Sequence, residues 1–297
     1  MRPTRDNVSQ PVAPTPRGEI CPLCGSAAGM QVLGTHEGRL VRCAQCDLVR
    51  NPDYATQTAE QRYQDDYFTG RVYDDYIANE HQWRHEARLR IAYMKDVGFT
   101  EPVLEIGSAA GFFLDELRHR GVEASGIEVS SSMALYATEV LHLPVSNADV
   151  TSVQLAPGSI GTVCMWHSLE HMHDPVRVLR LCHGWLSDGG RVFCEVPNYG
   201  SFGSRRHGAR WPQLYLREHA FQFEPATIRK LFKAAGFRVL YLSTLPPEAY
   251  ERGPENTPTI RLVARTLRAG ALRVLCRLGD VLGVPSGSLM RVVGEKI

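Results

Sequence analysis

Residues 103–117 read Val-Leu-Glu-Ile-Gly-Ser-Ala-Ala-Gly-Phe-Phe-Leu-Asp-Glu-Leu. A short apolar run ends in acidic Glu105, a glycine-spaced turn follows, and a helical pattern begins at Gly111. This predicts a strand, a tight loop and a helix N-terminus. Such a junction aims unpaired backbone N–H groups at whatever lies above the strand end, which suits an anionic or polar ligand. Gly107 and Gly111 let the backbone turn sharply and come close to that ligand. The Glu-x-Gly-x-Ala-x-Gly spacing is not the Gly-x-Gly-x-x-Gly of dinucleotide sites.

Downstream, strands alternate with helices, the pattern of a mostly parallel sheet covered on both faces. A second strand over Ala124–Glu128 closes on Ile127-Glu128-Val129-Ser130, and a short third strand precedes Asn147-Ala148-Asp149-Val150. At a strand end Glu128 can accept hydrogen bonds from two ribose hydroxyls. Asp149 suits an adenine amino group, with Val129 and Val150 as apolar neighbours of the ligand. Glu105, Glu128 and Asp149 thus stand at the carboxyl ends of successive strands, where open α/β sheets bind ligands.

Residues 101–149 resemble the class I S-adenosylmethionine (SAM)-dependent methyltransferases, with Ala109 where the middle glycine of motif I is usual. The resemblance implies a Rossmann-like α/β fold with a seven-stranded sheet and SAM as cofactor, held by Glu105, Gly107, Ala109, Gly111, Glu128, Val129, Asp149 and Val150. After a fourth strand over Ile160–Trp166 comes His167-Ser-Leu-Glu170-His171-Met-His173-Asp174-Pro175. Asp174 is a helix cap and Pro175 a first helical residue. By the resemblance His167 faces the cofactor, and Glu170 and His171 the bottom of the site. A backbone-bonded structural role for His171 is the competing reading, since only its near-neutral intrinsic pKa speaks for catalysis.

Towards the N-terminus, Cys21-Pro-Leu-Cys24 and Cys43-Ala-Gln-Cys46 each place two thiols in a tight turn. Two such knuckles joined by a hairpin predict a zinc ribbon. With four thiolate ligands and no open position, its Zn2+ is structural. The remaining four of the eight cysteines are scattered through apolar contexts, which fits a reducing, cytoplasmic location. Residues 1–18 read as a disordered lead-in with no secretory pattern. The predicted division is then 19–50 ribbon, 51–96 aromatic-rich linker or lid, and 97–297 methyltransferase domain. In the linker Tyr67 and Tyr76 are candidate substrate contacts, although its aromatic rings can equally pack the ribbon against the main domain.

The block after the fifth strand runs Pro197-Asn198-Tyr199, then Trp211, Glu218-His219 and Phe223-Glu-Pro225. It is similar to a block in zinc-ribbon methyltransferases of saccharide and secondary-metabolite modification. Asn198, Tyr199 and Trp211 are therefore expected at the substrate, with Glu218, His219 and then His171 as general acid or base. A Glu-His pair ahead of a helix is also an ordinary cap. Residues 259–284 form an amphipathic insertion whose apolar positions include 260, 263, 267, 274, 278 and 281, with arginines off that face. It either covers the domain's own flank or rests on anionic lipid.

The expected function is methyl transfer to O, N or C of a polar small molecule, most plainly a sugar or nucleotide-sugar. Three alternatives stand beside it: an RNA methyltransferase reading through the ribbon, a lipid or quinone methyltransferase, and a non-catalytic scaffold. The net charge of +1 and the absence of a basic stripe in residues 25–50 speak against nucleic acid.

Overall fold

A computed structural model describes residues 20–56, 62–63, 66–246, 259–283 and 285–297, with the side chains at 55–56 and 259–269 outside the description. The lead-in expected over 1–18 lies outside the described residues.

The chain opens with three strands, β1 (Gly29–Thr35), β2 (Gly38–Cys43) and β3 (Val49–Arg50), and continues into the helix α1 (Glu80–Val97). Alternating units follow: β4 (Val103–Ile106), α2 (Phe112–Arg118), β5 (Ala124–Glu128), α3 (Ser131–Leu135), β6 (Val145–Asn147), β7 (Ile160–Trp166), α4 (Pro175–Trp185) and β8 (Leu186–Pro197). The remainder is α5 (Phe202–His207), β9 (Phe221–Gln222), α6 (Pro225–Ala234), β10 (Phe237–Leu245), α7 (Thr259–Val281) and β11 (Leu289–Lys296).

Seven strands make the main sheet in the order β10-β11-β8-β7-β4-β5-β6. β4 pairs in parallel with both β5 and β7, whereas β11 runs antiparallel to β8 and β10. The last strand, β11, lies between β8 and β10, with β10 at the sheet edge. All four β4 residues are buried, because a central parallel strand is covered on both faces. The period-two alternation sends Leu104 and Ile106 into one core cluster and Val103 into the other, against α1 and α2. Glu105 follows Val103 in that alternation, so its side chain leaves towards the helices.

Local chemistry fixes the helix starts. Asp174 Oδ1 accepts the Arg177 N–H at 2.9 Å and Pro175 begins α4. At α6, Glu224 and Thr227 form a reciprocal capping box ahead of Pro225. Ile228, Leu231 and Phe232 then recur at helical spacing and are fully buried, each contributing about 1.5–3 kcal/mol by leaving water.

The ribbon is not a free-standing lobe. Its sheet has the order β1-β2-β3-β9, so its fourth strand comes from the segment after β8. Asn51 N–H donates to the Ala220 carbonyl at 2.8 Å, and Arg42 grips Glu224 with two bonds of 3.0 and 2.8 Å. Cys21, Cys43, Cys46 and Leu48 share one core cluster with Phe221 and Phe223.

Of the apolar positions of α7, 260, 263 and 267 lie outside the described side chains, and 274, 278 and 281 do not cover the flank: they are 57 %, 52 % and 84 % exposed, with Leu275 and Leu282 exposed beside them. The helix is anchored elsewhere, through buried Cys276 and through Asp280, which accepts from Thr244 N–H and Oγ at 2.8 and 2.7 Å. Among the described residues no helix is long and apolar enough to cross a membrane.

Candidate active site

A cavity of about 920 Å³ opens above the carboxyl ends of β4, β5 and β7, a size within the roughly 300–1,000 Å³ of small-molecule sites. One end is built by the loop after β4. Gly107, Ala109 and Gly111 all adopt positive φ, at 77°, 45° and 83°. At Gly107 an added Cβ would lie 2.8 Å from Ser168 Cβ, so the absence of a side chain lets loop and turn meet. Replacing Gly107 with alanine is expected to cost about 1–3 kcal/mol in backbone strain and crowding. A fall of several degrees in melting temperature, together with weakened SAM binding, checks this.

Glu128 is folded onto that loop. Its Oε2 accepts Ala109 N–H at 2.8 Å and its Oε1 accepts Ser130 N–H at 2.7 Å. A carboxylate has about four lone-pair sites, so the backbone donors leave Glu128 acceptor capacity for a ligand. Burial raises the Glu128 pKa, and the backbone donors at Ser130, Ala109 and Val129 work against that rise. Asp149 takes both Thr151 bonds, at 2.7 and 2.6 Å, on Oδ1, and the residue lines the cavity. Gly107, Ala109, Glu128, Val129, Asp149, Val150 and His167 all line this one cavity.

Two cofactor candidates do not. Glu105 is buried beneath the floor, where burial pushes its carboxyl well up, with Arg90 opposing and Glu128 adding to the rise. Gly111 begins α2, and a Cβ there would meet Leu143 at 2.6 Å, so its role is packing of the helix start.

The opposite end is aromatic. Tyr63, Tyr67, Phe68, Tyr73 and Tyr76 line it, interlocked edge-to-face at centroid separations such as 5.0 Å for Tyr63–Tyr67 and 5.1 Å for Tyr73–Tyr76. Tyr76 also stacks on Trp83 at 4.7 Å and on Phe112 at 6.1 Å, which ties this wall to the start of α2. Packing and cavity wall are therefore one arrangement. Burial raises the phenols of Tyr67 and Tyr76 well above their ordinary value, so they stay neutral. Tyr54 belongs to the same wall and donates to the His171 carbonyl at 2.6 Å. Sequence reading passed over Tyr54, Tyr63, Phe68 and Tyr73 as contacts; their clustering was the available signal.

Between the two ends lies the turn after β7. His167, at φ 54°, is placed between two carboxylates, 3.4 Å from Glu170 and 3.3 Å from Glu195. Burial opposes its charge, but Glu170 and Glu195 outweigh it and raise the pKa to about 9. His167 is thus a cation at neutral pH. Glu195 is also held by Arg90 at 3.0 Å and Arg291 at 2.7 Å. His171 lines the cavity, with Nδ1 2.7 Å from the Glu218 carbonyl; burial lowers its pKa, so the ring is neutral with Nδ1–H donating and Nε2 free. His219 stands edge-on behind it, centroids 4.8 Å apart, and burial above all lowers its pKa to about 3.

The remaining candidates lie away from this cavity. Glu218 lines a separate pocket of about 490 Å³ with Trp211, and its carboxylate is paired to Arg71 at 3.1 Å. Trp211 packs with Leu40, Val49 and half-buried Tyr199 under the ribbon. Asn198 donates to the Gly287 carbonyl at 2.8 Å, joining the end of β8 to the start of β11. The expected substrate contacts at Asn198, Tyr199 and Trp211 are therefore replaced by structural ones. The block turns inward to complete the ribbon sheet, and only Ala220 and Phe221 of its end reach the cavity.

The four cysteines form a second constellation. Cys21 and Cys46 Sγ are 3.4 Å apart, Cys24 and Cys43 Sγ 3.5 Å, and all four sulfurs lie within 4.8 Å of one another. Burial raises the thiols of Cys21 and Cys46, whereas at Cys43 burial is outweighed by the backbone N–H groups of Gln45 and Cys46 and by the neighbouring thiols, which lower it to about 7. Thiolate donors in this arrangement fit a tetrahedral zinc ion.

A methyltransferase-domain family profile matches residues 78–242, more than half of the chain. The chain belongs to the methyltransferase-domain family. Over 104 residues it is 33 % identical to a ubiquinone biosynthesis O-methyltransferase of Pseudomonas aeruginosa, covering 32 % of this chain and 44 % of that protein. The chain thus spans under half the length of the curated relatives it matches. The fold is similar to that of a SAM-dependent methyltransferase from Archaeoglobus fulgidus, with TM-score 0.51 and 19 % identity over 78 % of this chain and 97 % of that one. It is likewise similar to a SAM-dependent methyltransferase from Thermotoga maritima, with TM-score 0.53 and 19 % identity over 75 % and 94 %.

The family's cofactor fits the residues present. The loop approaches closely because Gly107 lacks a Cβ, Glu128 keeps acceptor capacity at the strand end, and Asp149 Oδ2 is unengaged. Glu128 would hold the ribose, with Asp149 and Val150 at the adenine.

Proposed function

We infer that the protein transfers a methyl group from SAM to a hydroxyl on a ring-bearing small molecule. When bound, SAM supplies a methyl already activated on a positively charged sulfur. The chain's own contribution is alignment, exclusion of water and handling of the acceptor's proton. One observation carries this reading: a single cavity runs from the acid-lined loop, past the His167–His171 turn, to the tyrosine wall.

The Glu170–His171–His219 cluster is placed to polarise the acceptor. Of its three members only His171 reaches the cavity wall, with Nε2 free. Glu218, committed to Arg71, is a positioning residue whose carbonyl fixes the His171 tautomer. The wall of phenols and Phe68 suits a flat ring, and the relatives' name favours an oxygen acceptor, so a phenolic ring ranks above the sugar or nucleotide-sugar expected from the sequence. The exposed apolar stripe Val274, Leu275, Leu278, Val281 and Leu282 supports a lipid-borne acceptor met by peripheral membrane contact through 259–284.

The same reading keeps the division into ribbon (19–50), tyrosine strap (51–96) and methyltransferase domain (97–297), with a structural zinc ion on Cys21, Cys24, Cys43 and Cys46. Incubation with methyl-labelled SAM and a panel of catechols, prenylated phenols on vesicles and nucleotide-sugars tests the substrate class. Label on a phenolic oxygen supports the reading. Label confined to sugars, or to none of the panel while SAM binds, overturns it.

A further inference from the structure

The second cavity, of about 490 Å³, is built where the β1–β2 turn, the short helix Tyr67–Arg71 and the segment Ala209–Glu218 meet. It shares no lining residue with the first, and methyl transfer gives it no role. Trp211, Leu214 and Val72 supply apolar surface, and half-exposed Tyr215 an aromatic ring. Tyr215 holds φ at 38°, a strained conformation for a residue with a side chain, and such strain collects at ligand clamps.

The polar lining indicates the charge of an occupant. Glu218 is buried, and Arg71 reaches its carboxylate at 3.1 Å. The guanidiniums of Arg71, Arg62 and Arg217 act on that carboxylate, and so does one other acid, Glu37. Three positive charges therefore stand against two negative ones. Asp66, which meets Arg71 at 3.0 Å, is 62 % exposed, so water and salt screen it. Among the described residues the Arg217 guanidinium meets only Glu37, at 3.6 Å, which is beyond hydrogen-bond distance. Its planar fork of donors is thus open to a carboxylate, which it can grip with two parallel bonds.

We propose that this cavity is an effector site for a small carboxylate borne on a flat apolar ring, the anion on Arg217 beside Arg71 and the ring against Tyr215, and that its occupancy is felt in the methyl-transfer cavity. The connection runs through few atoms. Glu218, whose side chain lines the effector cavity, accepts His171 Nδ1–H on its carbonyl at 2.7 Å. The Tyr215 carbonyl accepts the N–H groups of Glu218 and His219 at 3.0 and 2.8 Å. Arg71 also lies over the Tyr67 ring, 5.4 Å from its centroid. A ligand that draws Arg71 from Glu218 therefore works on the histidine pair and on the tyrosine wall together. The coupling is as large as the ligand's preference for one arrangement of this shared element.

Titration of the full chain with benzoate, followed through the Cε1–H NMR resonances of its histidines, tests the proposal. It needs neither SAM nor a known acceptor, so its failure is distinguishable from failure of the methyl-transfer reading. His36 lines the effector cavity and reports its occupancy, while His171 and His219 report the coupling. Benzoate should move all three resonances along one saturation curve. Benzamide and benzylamine, which keep the ring and lack the negative charge, should leave His36 in place. Arg217→Glu, at a side chain 61 % exposed, should weaken the binding by roughly tenfold or more, as loss of a charge-assisted bond demands. An otherwise unchanged histidine spectrum reports that this variant is folded. A His36 resonance that benzoate leaves unmoved, that benzamide or benzylamine moves equally, or that moves equally in Arg217→Glu overturns the proposal. Movement of His36 without His171 and His219 overturns the coupling.

Discussion

Glu128→Ala is expected to weaken SAM binding by roughly 100- to 1,000-fold, read by titration calorimetry. The carboxylate offers two charge-assisted acceptors at the end of β5, and hydrogen bonds to charged groups contribute about 1.5–3 kcal/mol each. Their joint loss, taken at the lower end because water partly replaces them, is about 3–4 kcal/mol. The loop itself also suffers, since Ala109 N–H and Ser130 N–H lose their shared acceptor. Glu128→Gln separates the two contributions. It retains one acceptor oxygen for the loop but loses the charge, so its affinity should fall between wild type and alanine. An unchanged dissociation constant in both variants would place the ribose elsewhere.

With zinc on the four cysteines as proposed, its removal should unfold more than the ribbon. Structural zinc sites contribute an apparent 10–16 kcal/mol or so to folding at neutral pH. In a self-contained lobe that energy would stay local. Here β9 completes the ribbon sheet from within the main domain, and three of the cysteines lie in the core cluster of Phe221 and Phe223. Lys230, on α6, also donates to the Cys46 carbonyl at 2.9 Å. If about 5 kcal/mol of the zinc energy reaches the main domain, chelation or Cys21→Ser lowers its melting temperature by roughly 10–20 °C. A two-step melt whose main transition stays in place would contradict this coupling.

What could be read from the sequence follows from range. The β4 loop, the Asp174-Pro175 cap and the cysteine knuckles are local devices, and each appears where its residues predict. The weld between β3 and β9 is not local. Two strands of two residues each carry no periodicity, and nothing in Val49-Arg50 or Phe221-Gln222 announces that they pair. That weld decides the direction of the whole block after β8. It draws Asn198, Tyr199 and Trp211 into structural contacts and sets His219 behind His171. Composition had marked the block as polar and aromatic, which describes a substrate roof and an inter-sheet joint equally well. In α7 the amphipathic pattern gave a helix but not its rotation, which Asp280 and Cys276 set. Glu105 shows the same limit at a single residue. Its place at a strand end was right, but the alternation along β4 turns its side chain to the covered face.

The central claim is that one cavity takes an adenosyl group at its acid-lined end and an acceptor at its tyrosine-lined end. A crystal structure with S-adenosylhomocysteine tests it most directly. The account predicts the ribose on Glu128, the adenine beside Asp149 and Val150, and the sulfur pointing past His167 towards Tyr67 and Tyr76. A nucleoside bound outside this cavity, or seated with its ribose among the tyrosines and away from Glu128, would contradict it.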